Sequence, residues 1–399
     1  MNTATRLELV WPGKDKFLLV PKDDTGKPVW VERDHPAASE VRLTDFGDAV
    51  GDVPEDAYAA NLLFTGDSLD VLRILCEVPE YRAIYRGKVK LVYIDPPFNT
   101  GQAFEHYDDW MEHSTWLSFM RERLLLIRDL LAPDGSVWVH LDDAEQHRMR
   151  CLMDEVFGAP NFIATLQWEM ADSPRNSARH FSVDVDPIHV YARDAENWRP
   201  QRLSRSAELD AKYKNPDGDP RGSWFGDNLR ANKPYSLGTY SVTGPTGRTF
   251  TVPPGRFWRI SKEKFEQMDG DGRIWWGARG DAFPTMKRFL SDVGRPVPRT
   301  FWPHREVGSN RTSNGEIKRL FAGQSPFATP KPERLIERII HVGSKAGDIV
   351  LDCFAGSGTT AAVAHKMGRR WVTAELLAST VEQFTLLSLI HISEPTRPY

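Results

Sequence analysis

The chain has 399 residues, 40% hydrophobic and 11% aromatic, enough for two or three domains with buried cores. No apolar run reaches ~18 residues and no signal peptide is visible, so a membrane span is excluded and a cytoplasmic location is expected. Cys76, Cys151 and Cys353 stand far apart, with neither CxxC nor metal-ligand spacing, so no metal site is expected and a reducing compartment fits. The net charge of −4 hides an asymmetry. Between Ala195 and Pro330 there are 23 Lys and Arg against 14 Asp and Glu, and the rest of the chain is correspondingly acidic. A basic segment in an acidic chain points to a polyanion as its partner, with a solvated face as the alternative.

Residues 1–60 are rich in Pro, Gly and Asp and predict an arm or small subdomain, with Phe17 to Val20 its one short apolar run. Residues 61–194 alternate strands and helices. Leu62 to Phe64 reads as a strand, and Asp67 or Ser68 caps the helix that follows. Leu91 to Ile94 is a continuous apolar run, the pattern of a strand buried on both faces of a parallel sheet. It stops at Asp95. Pro96 and Pro97, with fixed φ and no N–H, let neither strand nor helix continue. An acid is thus held on a stiff loop past the carboxyl end of a buried strand, where open α/β sheets bind ligands. Ser114 to Leu131 predicts a helix with Trp116, Leu117, Met120, Leu124 and Ile127 on one stripe. A turn at Pro133 to Gly135, a strand at Ser136 to Leu141, a cap or turn at Asp142-Asp143, a helix at Met149 to Phe157 and strands at Phe162 to Trp168 and Ile188 to Tyr191 follow.

From 195 to 325 the alternation stops, Gly and Pro rise, and six of the 13 tryptophans appear. Basic side chains for phosphates and aromatics for bases would suit nucleic acid, while core tryptophans in an irregular β-rich domain are the plainer reading. In 326–387, the stretch Phe327 to Pro332 (FATPKP) precedes a helix at Glu333 to His341. Ile349 to Ala362, IVLDCFAGSGTTAA, then reads strand, Gly loop, helix, and Glu375 follows a strand at Trp371 to Thr373. Gly356-x-Gly358-x-x-Ala361 with an acid about 20 residues on also satisfies the dinucleotide fingerprint. A dinucleotide fold starting here would need several further strands, and only 24 residues follow Glu375. The missing strands must therefore come from upstream, which makes the sheet circularly permuted. Leu376 to Ile390 predicts a helix. Ser388 to Tyr399 (SLIHISEPTRPY), where Pro395 and Pro398 prevent regular structure, is expected to be a tail, either foreign sequence after a truncation or a native disordered C-terminus.

The stretch Asp95-Pro96-Pro97-Phe98 resembles the catalytic motif of amino-methylating DNA methyltransferases. With Asn99-Thr100-Gly101 and Lys287 to Trp302 (KRFLSDVGRPVPRTFW), it looks most like the modification subunits of type III restriction systems. The Ile349 to Ala362 loop resembles the D-x-F-x-G-x-G cofactor loop of S-adenosylmethionine-dependent methyltransferases. The order of catalytic motif, recognition region and cofactor loop is that of their β group. The resemblance implies a circularly permuted Rossmann-like α/β methyltransferase fold with a target-recognition insertion. It implies methyl transfer from S-adenosylmethionine to adenine N6 in duplex DNA. Asp95 and the Pro96 carbonyl would accept hydrogen bonds from the amino group and free its lone pair, and Phe98 would stack on the base. Asp352, Phe354, Gly356, Gly358 and Glu375 would hold the cofactor, with Asp67, Thr329 and Lys331 beside it. Double-stranded DNA is the implied partner; a homodimer and a restriction subunit are open to it. No Pro-Cys nucleophile of the cytosine-C5 enzymes is present. Cytosine-N4 methylation, an inactive DNA-binding relative and a nicotinamide oxidoreductase are the alternatives.

Overall fold

The structure is a computed structural model that describes residues 8–20, 28–49, 51, 54–100, 103–104, 107–108, 112–320, 327 and 329–390. The chain divides into two compact units, one of residues Met1–Gln201 with Pro298–Tyr399 and one of Arg202–Val297.

The first unit is built on an eight-stranded sheet. Its strands, in chain order, are β1 (Leu62–Thr65), β2 (Val89–Ile94), β3 (Leu131–His140), β4 (Phe162–Glu169), β5 (Val185–Ala192), β6 (Phe301–Trp302), β7 (Ile349–Asp352) and β8 (Arg370–Glu375). In space they run β6-β4-β5-β3-β2-β7-β8-β1. All neighbours pair parallel except β5, which is antiparallel to both β3 and β4. The adjacent centre strands β2 and β7 come from opposite ends of the chain, so the sheet is circularly permuted as expected. It is the Rossmann-like α/β arrangement that the two signatures predict. The chain leaves β2 towards β3 and leaves β7 towards β8, so the β2/β7 boundary is the switch point, where such sheets bind ligands.

The helices follow from their apolar spacing. In α1 (Ser68–Glu77) Asp67 is the cap, accepting from Leu69 N at 2.7 Å. In α2 (His113–Leu130) the predicted stripe of Trp116, Leu117, Met120, Leu124 and Ile127 is buried. Further helices are α3 (Gln146–Met153), α4 (Asn310–Leu320), α5 (Glu333–Gly343) and α6 (Thr359–Lys366). On α5, Leu335, Ile336, Ile339 and Ile340 recur at three- and four-residue spacing and are fully covered. Among the described residues no helix is long and apolar enough to cross a membrane.

Three expectations change. The Pro133 to Gly135 turn lies within β3, because Leu131 already pairs with Val89 of β2. The pairing breaks register there, and a Cβ on Gly135 would lie 2.7 Å from the Val89 carbonyl oxygen. The turn is therefore present, as a bulge in which Leu131 pairs with Val89 and Ser136 with Leu91, and what the sequence did not show is that pairing begins before it. The N-terminal residues form a short hairpin, Phe17–Leu19 against Val29–Val31, seated on the helices. Trp11 is buried and donates to Ser118 Oγ of α2 at 2.8 Å, and Arg73 of α1 donates to the carbonyls of Ala37, Ala38 and Glu40. Third, the helical stretch after β8 runs Ala378–Thr380, a wider turn at Val381–Thr385, then Leu386–Ile390. Ser388, expected to begin the tail, is buried within it and donates to the Ser357 carbonyl at 2.7 Å. Residues 391–399 lie outside the described residues.

The second unit consists of short antiparallel pairings, with Trp224–Asn228 against Thr285–Phe289 the longest. Its tryptophans mostly form its core: Trp224, Trp258 and Trp276 are buried, and Trp258 stacks on Phe283 at 5.3 Å. Trp198 and Trp302, also buried, belong to the first unit. Buried Lys287 is paired with Asp217 and, at 2.9 Å, with Asp219. The ends of this unit lie side by side, Leu203 N donating to the Pro296 carbonyl at 3.0 Å.

Candidate active site

The carboxyl ends of β2, β7, β8 and β1 open into one cavity of about 760 Å³. It is lined by Asp67, Asp95, Pro96, Pro97 and Phe98, by Thr329 and Lys331, and by Asp352, Phe354, Gly356 and Glu375. Eleven of the twelve residues singled out in the sequence therefore meet here, though they come from opposite ends of the chain.

Asp95 follows directly on β2. One carboxylate oxygen, Oδ2, accepts from Lys331 Nζ at 2.5 Å. The other, Oδ1, is buried and has no hydrogen-bond partner among the described residues. A buried acceptor left unpaired costs roughly 1–3 kcal/mol, so its place on the cavity wall is informative. The loop is held from behind. Trp116 Nε1 donates to the Pro97 carbonyl at 2.8 Å. Asn99 is the one non-glycine residue among those described with positive φ, 61°, a conformation asparagine tolerates better than most. Its amide donates at 2.7 Å to Glu145, which is fully buried and also bonds His113 and Arg148. Phe98 is half-buried, with Lys331 Nζ 5.1 Å from its ring centre and the His140 ring 6.0 Å away.

The β7 side is equally tied down. Asp352 Oδ1 accepts from Phe354 N at 3.0 Å, and burial pushes its carboxyl up to about 7. Glu375 at the end of β8 spans the Gly loop, Oε2 accepting from Gly356 N at 2.9 Å and Oε1 from Leu377 N at 3.2 Å. Burial raises the Glu375 carboxyl too. The backbone of Leu376 bonds it too, and a carboxylate has about four lone-pair sites, so one remains for a ligand. Gly356 has φ +50°, and a Cβ there would lie 3.1 Å from the Phe327 ring, so its lack of a side chain keeps this wall open.

Two of the expected residues do something else as well, or instead. Gly358 is left-handed at φ +80°, but a Cβ on it would run into the backbone of Thr385, 3.1–3.2 Å away, and not into the cavity. Its glycine is required by the helical stretch packed behind the loop. Asp67 is a helix cap and is gripped by Arg123 through both oxygens, at 2.9 and 3.0 Å. Arg123 is itself buried and sits 3.4 Å from the Phe119 ring centre.

Sequence reasoning missed the layer behind Asp95. Tyr93 OH lies 3.0 Å from His140 Nδ1, and Asp186 Oδ2 lies 3.5 Å from His140 Nε2. All three are buried, and burial pushes the Tyr93 phenol well above its ordinary range. They lie on β2, β3 and β5, far apart in the chain, so no local spacing could have joined them.

The DNA methylase family model of N6 and N4 methyltransferases matches residues 89–385. The StyLTI Mod subunit of a type III restriction-modification enzyme from Salmonella typhimurium is 32% identical over 340 residues, 77% of this chain and 50% of that protein. The DNA adenine methyltransferase YhdJ of Escherichia coli is 39% identical over 297 residues, 74% of this chain and 75% of its own. Among solved structures, the cytosine-N4-specific PvuII DNA methyltransferase aligns with a TM-score of 0.46 at 16% identity, covering 85% of this chain and 89% of that one. The chain spans about half the length of the type III Mod subunits it matches. With three quarters of its residues inside the family match and both signature loops on one cavity, the chain belongs to the N6/N4 DNA methylase family.

Proposed function

We propose that this chain transfers a methyl group from S-adenosylmethionine to adenine N6 in duplex DNA, as the modification component of a restriction-modification system. The observation that carries the reading is Asp95, a residue of the cavity that also holds the Gly356 loop and Glu375, whose buried Oδ1 has no hydrogen-bond partner among the described residues. The residues present fit the cofactor. Glu375 keeps acceptor capacity for a ribose hydroxyl, Gly356 leaves a cradle that a side chain would fill, and Phe354 offers an aromatic face that suits a cation. When bound, the cofactor supplies an electrophilic methyl on a sulfonium.

The chain's own residues do the rest. Asp95 Oδ1 accepts a hydrogen bond from the exocyclic amino group and draws it out of conjugation with the ring. Lys331 holds the other oxygen of the same carboxylate and so sets its orientation. Phe98 supplies a stacking face, worth roughly 1–3 kcal/mol per base. A base in a duplex cannot reach this recessed loop, so it must leave the stack. Positioning of the two reactants is then the main source of rate. The similarity to a DNA adenine methyltransferase, at 39% identity, supports adenine over cytosine. Residues Arg202–Val297 are assigned to recognition of the target sequence, and a restriction subunit is the proposed protein partner, in line with the type III relatives.

The test is methylation-sensitive sequencing of DNA from cells expressing the chain. N6-methyladenine within a short recurring sequence is expected. N4-methylcytosine would overturn the choice of base, and unmodified DNA would overturn the activity.

A further inference from the structure

A second cavity, of about 560 Å³, adjoins the first, and Asn310 and Asn314 of α4 line both. Its walls are α4 and the 170–184 loop that joins β4 to β5. Three cations line it, Arg175, Arg311 and Lys318. Arg311 is paired with Asp172 at 3.3 Å, while no ion pair of Arg175 or Lys318 is found among the described residues. Both stand exposed. The floor is firm: Asn310 N donates to the Met170 carbonyl at 2.9 Å, and Trp168 Nε1 to the Gly308 carbonyl at 2.9 Å. The loop is tied across its base, Arg175 N donating to Ser182 Oγ at 2.8 Å. Phe181, which precedes the cavity residue Ser182 in the chain, is 91% exposed, with Arg179 and His180 before it. A lone exposed aliphatic residue is unremarkable. An aromatic ring held almost wholly in water, among cations, beside a cavity continuous with the active site is not.

We propose that this groove carries the DNA strand next to the extruded base, with Arg175 and Lys318 on its phosphates and Phe181 stacked into the gap that the base leaves. This rests on the reading of the first cavity as the site of a DNA methyltransferase. The groove is cationic, which suits phosphate. It reaches the active-site cavity through uncharged asparagines, which suits a strand passing from one to the other. The aromatic stands outside the Asp95 pocket, so it is free to replace the lost stacking while Phe98 holds the flipped base.

Two measurements on the whole chain test this, using a duplex that carries its methylation sequence. The first is the salt dependence of DNA binding. Arg175→Ala with Lys318→Ala should lower the slope of log affinity against log salt by about 2, since each lost phosphate contact removes ~0.9. S-adenosylmethionine affinity and melting temperature should stay as in the unmodified chain. The second is methylation of the paired duplex against one whose target base is mispaired, which needs less unstacking. Phe181→Ala should slow the paired substrate about tenfold more than the mispaired one, and Phe181→Trp should restore the ratio. An unchanged salt slope, with a paired-to-mispaired ratio within about twofold of the unmodified chain, overturns the proposal. Failure of the underlying reading looks different: the unmodified chain itself transfers no methyl to any DNA, and the salt slope still decides whether this groove holds phosphates.

Discussion

At Asp95 the two carboxylate oxygens differ: one is held by Lys331, and the other is buried with no partner among the described residues. Asp95→Ala should therefore cut methyl transfer by about 100-fold or more, the scale seen when a positioned hydrogen-bonding group is removed. Cofactor binding, followed by calorimetry, should persist; turnover within tenfold of the unmodified chain would refute the role. Asp352 gives a pH signature. Its carboxyl is raised by burial to about 7, with the charges of Asp95 and Glu375 adding to the effect. The folded state thus binds this proton more tightly than the unfolded chain. The resulting stability is fully present below the ordinary carboxylate value of 3.8 and is lost as pH rises through about 7. Asp352→Asn keeps an acceptor for Phe354 N and removes the charge. Its melting temperature relative to the unmodified chain should climb between about pH 4 and 7 and then level off. A difference that does not change with pH would contradict the assignment.

Among the elements, the stretch from Ala378 to Ile390 has the least expected part. Thr385 Oγ1 donates to the Gly356 carbonyl at 2.8 Å and Ser388 Oγ to the Ser357 carbonyl at 2.7 Å, so this segment clamps the Gly loop, while its Thr380, Gln383 and Phe384 line the cavity. Phe384 packs on Phe327, which lines the same cavity, with ring centres 5.5 Å apart. Thr385→Val keeps the shape and deletes one donor, at a net cost of about 0.5–1.5 kcal/mol. Cofactor affinity measured by calorimetry should drop by a few-fold while Asp95-dependent chemistry at saturating cofactor is retained. Gly358→Val should act through the same contact. Its branched side chain meets Thr385 backbone and a strained φ, so melting temperature should fall together with cofactor affinity. An affinity loss in a variant as stable as the parent would instead put that side chain in the cofactor space.

For the whole molecule, the Arg202–Val297 unit begins and ends at adjacent points, Leu203 bonding Pro296. Replacing it with a short Gly-Ser linker should leave S-adenosylmethionine binding within a few-fold of the parent and abolish sequence-specific methylation. Retained methylation of the same sequence would take recognition away from that unit. DNA affinity of the intact chain should also fall steeply between about 50 and 200 mM salt, as expected of several phosphate contacts. A flat response would leave the excess of basic residues in 195–330 without a role in binding.

The sequence by itself determined the sheet and the two loops that face its cavity. Buried parallel strands are written as continuous apolar runs, and what ends them here, Asp95-Pro96-Pro97 and Asp352 before a Gly loop, is equally local. The permutation was legible as well, because the Asp95 motif precedes the Gly356 loop in the chain. Only the tertiary structure decided which oxygen of Asp95 is available, because Lys331 lies 236 residues away. It likewise assembled Tyr93, His140 and Asp186 from three strands and turned Gly358 towards Thr385. It began β3 at Leu131, ahead of the Pro-Asp-Gly turn, by pairing that residue with β2. It buried most of the tryptophans that composition had offered to DNA and exposed Phe181, which composition had passed over. In each case the deciding interaction joins residues distant in the chain, and local propensity carries no record of such a partner.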